Sequence, residues 1–305
     1  MGTNGVRTIE IDTPSGRFGV WTRTAGDTSG TTVLVLHGGP GATHEYLLDL
    51  EQPLTQAGFG VVFYDQLGSH FSDQPDDPTL WEIPRFVDEV EQVRAALGLD
   101  ASNFVLYGQS WGGILATEYA LAHPEPLKGL VISNMMSSIP SYNDYAERVL
   151  FPTMDPDALA RIKELEAAGD TINAEYEALL APHYERHVLR RPMSEWPAHV
   201  VAGFEHINHD IYVPLQGPSE LGASGKLERW DRSKDLPKLP MPTLVIGARY
   251  DTMNPAHMEM MAKQIPHARY LFCPNGSHLA MYDDQKTYFE GLETFIEDVD
   301  AGRFP

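Results

Sequence analysis

The chain has 305 residues, 42% of them apolar, enough for a sizeable core in one large domain or in a domain carrying an insertion. Asp and Glu number 43 against 22 Lys and Arg, and the formal charge of −21 opposes binding to nucleic acid or to an anionic membrane. The plain effect of that excess is solubility; as a functional signal it favours cationic substrates, for instance those with a free amino group.

In chain order, residues 7–12 and 17–23 alternate apolar and polar positions around Pro14-Ser15-Gly16, the pattern of a hairpin with one face on a core. Short continuous apolar runs at 32–36 and 59–64 read as buried strands, with a helix at 45–56 between them. Further buried strands are predicted at 103–107, 127–133, 243–246 and 269–272, and helices at 84–97, 111–123, 255–264 and 284–299. This is an α/β chain with a mostly parallel sheet covered on both faces. From about residue 134 to 239 the strand rhythm stops, and helical, Glu-rich segments replace it at 155–168, 173–190 and 194–208. Pro237, Pro240 and Pro242 mark the return to the sheet. The expected division is a first core part at 1–134, a helical cap at 135–239 and a second core part at 240–305. Such a cap overhangs the carboxyl ends of the strands, where open α/β sheets bind ligands.

Cys273 is the sole cysteine, so no intrachain disulfide can form, and its neighbours Tyr270, Leu271 and Phe272 suggest a buried strand thiol. Residues 1–11 lack the basic and apolar regions of an export signal, and no run of about eighteen apolar residues occurs. After Met1-Gly2, Val6 stands where a myristoylation motif wants Ser or Thr. A cytoplasmic protein is expected.

The chemistry centres on Gly108-Gln109-Ser110-Trp111-Gly112-Gly113, which lies between a predicted strand and a predicted helix. A G-x-S-x-G there forces its serine into a strained turn whose small neighbours allow close chain approach. The motif alone arises by chance in many chains. Serine needs a base, a carboxylate to orient the base, and donors for an oxyanion. Asp251 follows the strand at 243–246 and His278 follows the strand at 269–272, which gives the order Ser110, Asp251, His278. In isolation Asp251 reads equally as a helix cap before Asn254-Pro255, and His278 as a surface histidine. Their joint placement after consecutive strands points to a triad. His37-Gly38-Gly39-Pro40-Gly41 directly follows the strand at 32–36, so the backbone N–H groups of Gly39 and Trp111 are the expected oxyanion donors. The segment 205–210 offers His206 and His209 but neither an H-E-x-x-H arrangement nor an obvious third ligand, so no metal or other cofactor is expected. Met135, Met136, Met258, Met260 and Met261 read as core or pocket lining.

HGGPG at 37–41, YDQLGSHFSD at 64–73, GQSWGG at 108–113, ARYD at 248–251 and GSH at 276–278 together resemble the proline iminopeptidase family of α/β-hydrolases, over nearly the whole chain. The resemblance implies an eight-stranded hydrolase sheet with an inserted all-helical cap. It implies a serine aminopeptidase that releases an N-terminal residue, often proline, from short peptides, amides or arylamides. Ser110 would be the nucleophile, Asp251 the orienting acid and His278 the base. The family holds the substrate's amino group with carboxylates. Gly217-Pro218-Ser219-Glu220 resembles a stretch of one branch, with Tyr212 at a matching aromatic position, and Glu205 resembles a cap glutamate of another. In the first branch a second glutamate follows the catalytic aspartate, where this chain has Thr252. That departure leaves the amino-group site open, and Glu220 and Glu205 read equally as solvated cap residues. Two rival readings remain: an amino acid amidase or esterase with the same triad, and a silent hydrolase fold serving as a receptor, which the complete triad opposes. Dehalogenase and epoxide hydrolase chemistry would require Asp in place of Ser110. The expected partner is a small peptide or amino acid amide with a free amino group.

Overall fold

The computed structural model describes residues 5–304, and the Met1-Gly2 dipeptide lies outside them. Eight strands form one sheet: β1 (Gly5–Thr13), β2 (Gly16–Ala25), β3 (Thr32–Leu36), β4 (Gly60–Tyr64), β5 (Phe104–Gln109), β6 (Gly129–Ser133), β7 (Thr243–Ala248) and β8 (Ala268–Cys273). Their spatial order is β1-β2-β4-β3-β5-β6-β7-β8. The β1–β2 hairpin joins β4 antiparallel, and every pairing from β4 to β8 is parallel. Strands β3 to β7 are buried at every position. Layers on both faces require this, and it is why these strands read as unbroken apolar runs.

Alternate side chains divide between two cores. Leu34, Leu36, Leu106, Ile132 and Val245 pack under α2 (Ile83–Leu97), α3 (Trp111–Ala122) and α9 (Pro255–Gln264). Val33, Val35, Tyr107, Val131 and Ile246 face α1 (Glu51–Gln56) and α11 (Gln285–Asp300), the latter preceded by the short α10 (Ala280–Asp283). Cys273 is buried at the end of β8, Met135, Met136, Met258 and Met261 are buried in the first core, and Met260 packs partly buried against it.

Between β6 and β7 the chain is helical: α4 (Ile139–Tyr145), α5 (Pro156–Ala168), α6 (Ala174–His187), α7 (Ala198–Glu205) and α8 (His209–Leu215). Ile162 and Leu165 of α5 pack with Tyr176, Leu180 and Leu221 in a small cluster of their own. The caps follow from the sequence, since Asp155 accepts from the N–H of Asp157 and Ala158, and Asn173 from that of Tyr176. Several boundaries differ from the sequence expectation. The helix expected at 194–208 is a 3-10 turn followed by α7, because Pro197 has no N–H to continue the turn while its carbonyl accepts the N–H groups of Val200 and Val201 to start α7, and Asn208 then caps a separate helix, α8. The helix expected to 190 stops at His187, where the carbonyls of His187 and Val188 leave the helix to accept the N–H groups of His278 and Leu279. The expected helix at 45–56 opens as a 3-10 turn over Glu45–Leu50 before α1.

Candidate active site

Register brings the chemistry to one edge of the sheet. Leu36 lies opposite Gly108, Gln109 opposite Ser133, Ser133 opposite Ile246, and Ala248 opposite Cys273. The segments that follow β3, β5, β6, β7 and β8 therefore emerge side by side. Strand order reverses between β3 and β5, which makes the gap between their carboxyl ends the switch point where such sheets take ligands.

Ser110 holds φ 56° and ψ −127°, a region that L-residues rarely adopt. Two glycines permit the turn. A Cβ on Gly108 would stand 2.0 Å from the carbonyl oxygen of Gly112, and one on Gly112 would stand 2.2 Å from that of Leu36. A side chain at Gly108 would drive β5 and α3 apart, and one at Gly112 would drive α3 away from the end of β3. Ser110 is 8% exposed.

Asp251 and His278 are buried and joined, His278 Nδ1 lying 2.8 Å from Asp251 Oδ1. The carboxylate is further fixed by Asn134 Nδ2 at 2.7 Å and by the Met253 N–H at 3.0 Å. An Nδ1–H that donates to Asp251 leaves Nε2 of His278 with its lone pair, the form a general base requires. Burial lowers the proton affinity of His278, but the charge and hydrogen bond of Asp251 and the charge of Glu220 outweigh it, so its pKa is raised above 6.5. Thr252, the departure from the family pattern, is buried against this pair, its hydroxyl 3.3 Å from Asp251 Oδ1 and 3.4 Å from His278 Nδ1.

Ser110 and His278 line one cavity with Gly39, Tyr212 and Glu220, and Val188, Phe204, Ile207 and Leu279 add apolar wall. Its free volume is about 40 Å³, far below the roughly 300–1,000 Å³ of drug-sized ligand sites. Glu220 is held from three sides. Its Oε1 accepts from the Tyr212 hydroxyl at 2.6 Å, its carbonyl accepts from Tyr142 at 2.8 Å, and its N–H donates to Tyr184 at 3.3 Å. Glu205 is not among the lining residues; it sits exposed at the end of α7. Trp111 turns its indole into the core, donating to Gln66 Oε1 at 2.9 Å, so only its backbone N–H at the head of α3 is free to face an oxyanion. The 205–210 segment is occupied otherwise: His206 pairs with Glu45 at 2.6 Å and stacks on His70. Among the described residues no group of three or more His, Cys, Asp or Glu side chains is arranged for a metal ion.

Sequence reasoning missed the supports. The Tyr46 hydroxyl accepts the Gly38 N–H at 2.6 Å and donates to Gln109 Oε1 at 2.7 Å, and Gln109 Nε2 donates to the carbonyl of His278 at 3.0 Å. The loop after β3, the residue before Ser110 and the backbone of His278 are thereby tied together. Asn134 was findable as the first residue past β6 at the same sheet edge.

A strand–serine–helix turn with an Asp–His pair at neighbouring strand ends defines an α/β-hydrolase, and residues 31–285 match the family model of the alpha/beta hydrolase fold. The chain is 50% identical to the proline iminopeptidase of Flavobacterium johnsoniae over 292 residues, covering 95% of this chain and 98% of that one. It is also 50% identical to that of Elizabethkingia meningoseptica over 299 residues, covering 97% and 99%. The crystal structure of the proline iminopeptidase of Mycobacterium smegmatis superposes with a TM-score of 0.84 at 27% identity, covering 98% of this chain and 99% of that one. The chain belongs to the proline iminopeptidase family of α/β-hydrolases, and it is a hydrolase.

Proposed function

We propose that the protein is a serine aminopeptidase that releases an N-terminal residue, proline or another small apolar one, from short peptides, amides or arylamides. Ser110 Oγ attacks the scissile carbonyl as His278 Nε2 takes its proton, and Asp251 steadies the imidazolium. The N–H groups of Gly39 and Trp111 receive the oxyanion. Collapse expels the amine, which takes the proton from His278, and leaves an acyl ester on Ser110. Water, activated by the same histidine, releases the free amino acid. Residues 135–239 serve as the cap that closes the cavity, and a cytoplasmic setting belongs to the same reading. Glu205 has no part in it.

The observation that carries the proposal is the Glu220 carboxylate, oriented by Tyr212 within the cavity that holds Ser110 and His278. One oxygen is engaged by the phenol, and the carboxylate retains acceptor capacity for a substrate ammonium. A charge-assisted bond of that kind is worth roughly 1.5–3 kcal/mol, about ten- to more than a hundredfold in kcat/KM. Glu220→Gln should cost free-amino arylamides that factor and spare a neutral ester of similar size. Equal losses on both substrates would make Glu220 structural.

The amidase or esterase reading draws on Thr252, which faces the Asp–His pair where a second carboxylate would strengthen selection for an amino terminus. Turnover of N-acetylated substrates as fast as free-amino ones by the wild type would favour it.

A further inference from the structure

Away from the active-site cavity, α6 carries two histidines one turn apart, and neither contributes to the chemistry above. His183 and His187 are 3% and 8% exposed, with ring centroids 4.8 Å apart and ring planes inclined by 40°. Neither ring nitrogen of His183 has a hydrogen-bond partner, and Nε2 of His187 has none. Buried polar atoms without partners are uncommon, and three on two facing rings call for a ligand. Both rings line a second cavity between α5 and α6, alongside Met154, Asp155 and Arg186.

The chemistry of that ligand follows from the lone pairs. His187 Nδ1 lies 2.8 Å from the carbonyl of Tyr250, so Nδ1 carries the proton and Nε2 is a bare donor to a Lewis acid. Neutral imidazoles at positions i and i+4 of a helix lie on one face, the spacing that lets two side chains share a metal ion. Zn²⁺ and Cu²⁺ are the divalent ions imidazole suits best. We propose that His183 and His187 form a two-imidazole chelate for Zn²⁺ or Cu²⁺, completed by water, and that its occupation slows the hydrolase.

The Arg186 guanidinium opposes a cation, but it is exposed and turned to the carbonyl of Thr153 at 3.2 Å, while Asp155 contributes a negative charge to the same cavity. Coupling to catalysis is short. Tyr250, the partner of His187 Nδ1, directly precedes Asp251, and the His187 carbonyl accepts the N–H of His278 at 2.9 Å. An ion held by both imidazoles at about 2.0–2.1 Å fixes the orientation of the His187 ring. His187 cannot turn without pulling on the loops that hold the Asp–His pair.

Copper and zinc test the two halves separately. Electron paramagnetic resonance of the protein titrated with Cu²⁺ should show one copper per chain with two equatorial nitrogens, whatever the enzyme's substrate. His183→Phe, or His183→Gln should the first fail to fold, should weaken that binding at least about tenfold. Zn²⁺ should lower the wild-type kcat reversibly, with recovery on adding EDTA, and the His183 variants should need at least about tenfold more zinc for the same loss. Absence of a two-nitrogen copper signal, or copper binding unchanged in both variants, overturns the site. Zinc inhibition undiminished in the variants, which would place the ion on His278, or copper binding with no loss of kcat on zinc, overturns the coupling.

Discussion

Replacing Tyr46 by Phe removes one oxygen that serves two buried partners. The Gly38 N–H loses its acceptor and Gln109 Oε1 loses its donor, in a region where Tyr46 is 5% and Gln109 1% exposed. A buried polar group left unpaired costs about 1–3 kcal/mol, and partial relaxation keeps the pair at about 2–4 kcal/mol. At about 2.1 cal/mol/K of unfolding entropy per residue, a 305-residue chain should lose about 3–6 °C in Tm. The catalytic loss should be larger in proportion. The Gly38-Gly39 turn, which carries the proposed Gly39 donor, is tied to Gln109 beside Ser110 through this hydroxyl, and removal of a whole oxyanion donor costs about 10²–10³ in kcat. A loosened donor should cost about 10- to 100-fold, with KM nearly unchanged because Tyr212 and Glu220 lie outside the network. Steady-state kinetics on an aminoacyl arylamide and a thermal melt check both. A Tyr46→Phe enzyme with wild-type kcat and a Tm within about 1 °C would show that the loop is held by other means.

Ser110→Ala should abolish turnover while the melt stays close to wild type, and retention of more than about a thousandth of kcat would refute the acyl-enzyme route. Because the folded pKa of His278 lies above 6.5, the acid limb of kcat/KM should have its midpoint above pH 6.5. Stability from the same protonation is present below pH 6.5 and lost as pH rises through the raised pKa. Glu220→Gln should move the acid limb downward, since Glu220 is one of the charges raising His278, and a midpoint below pH 6 in the wild type would contradict the assignment. Treatment with EDTA should leave wild-type kcat intact in zinc-free buffer, and a loss restored by zinc would show that a metal takes part in the chemistry.

The sheet was legible because β3 to β7 are buried on both faces, which leaves their apolar runs unbroken. Ser110 and Asp251 stood out because each follows such a run, and His278 because it follows the shorter apolar stretch at the end of β8. Tyr46 gave no comparable signal, since its importance lies in a contact 63 residues away along the chain. The helical segment between β6 and β7 was harder for a different reason. Pro197 and Asn208 break a pattern whose apolar spacing alone would continue a helix, and helical spacing cannot say which of two glutamates faces inward. Glu220 and Glu205 differ only in what surrounds them: three tyrosines hold the first, while the second is exposed at a helix end.

The small cluster of Ile162, Leu165, Tyr176, Leu180 and Leu221 is packed separately from the two cores of the sheet, and its last member is the residue after Glu220. Substitutions within it reach the carboxylate through one peptide unit and leave the strand ends that carry Ser110, Asp251 and His278 alone. With Glu220 in the role proposed above, the choice of amino terminus can therefore drift, under selection or in a directed library, while the proposed bond cleavage at Ser110 is conserved. A library confined to those five positions, screened on several aminoacyl arylamides, is the economical route to altered selectivity in this scaffold.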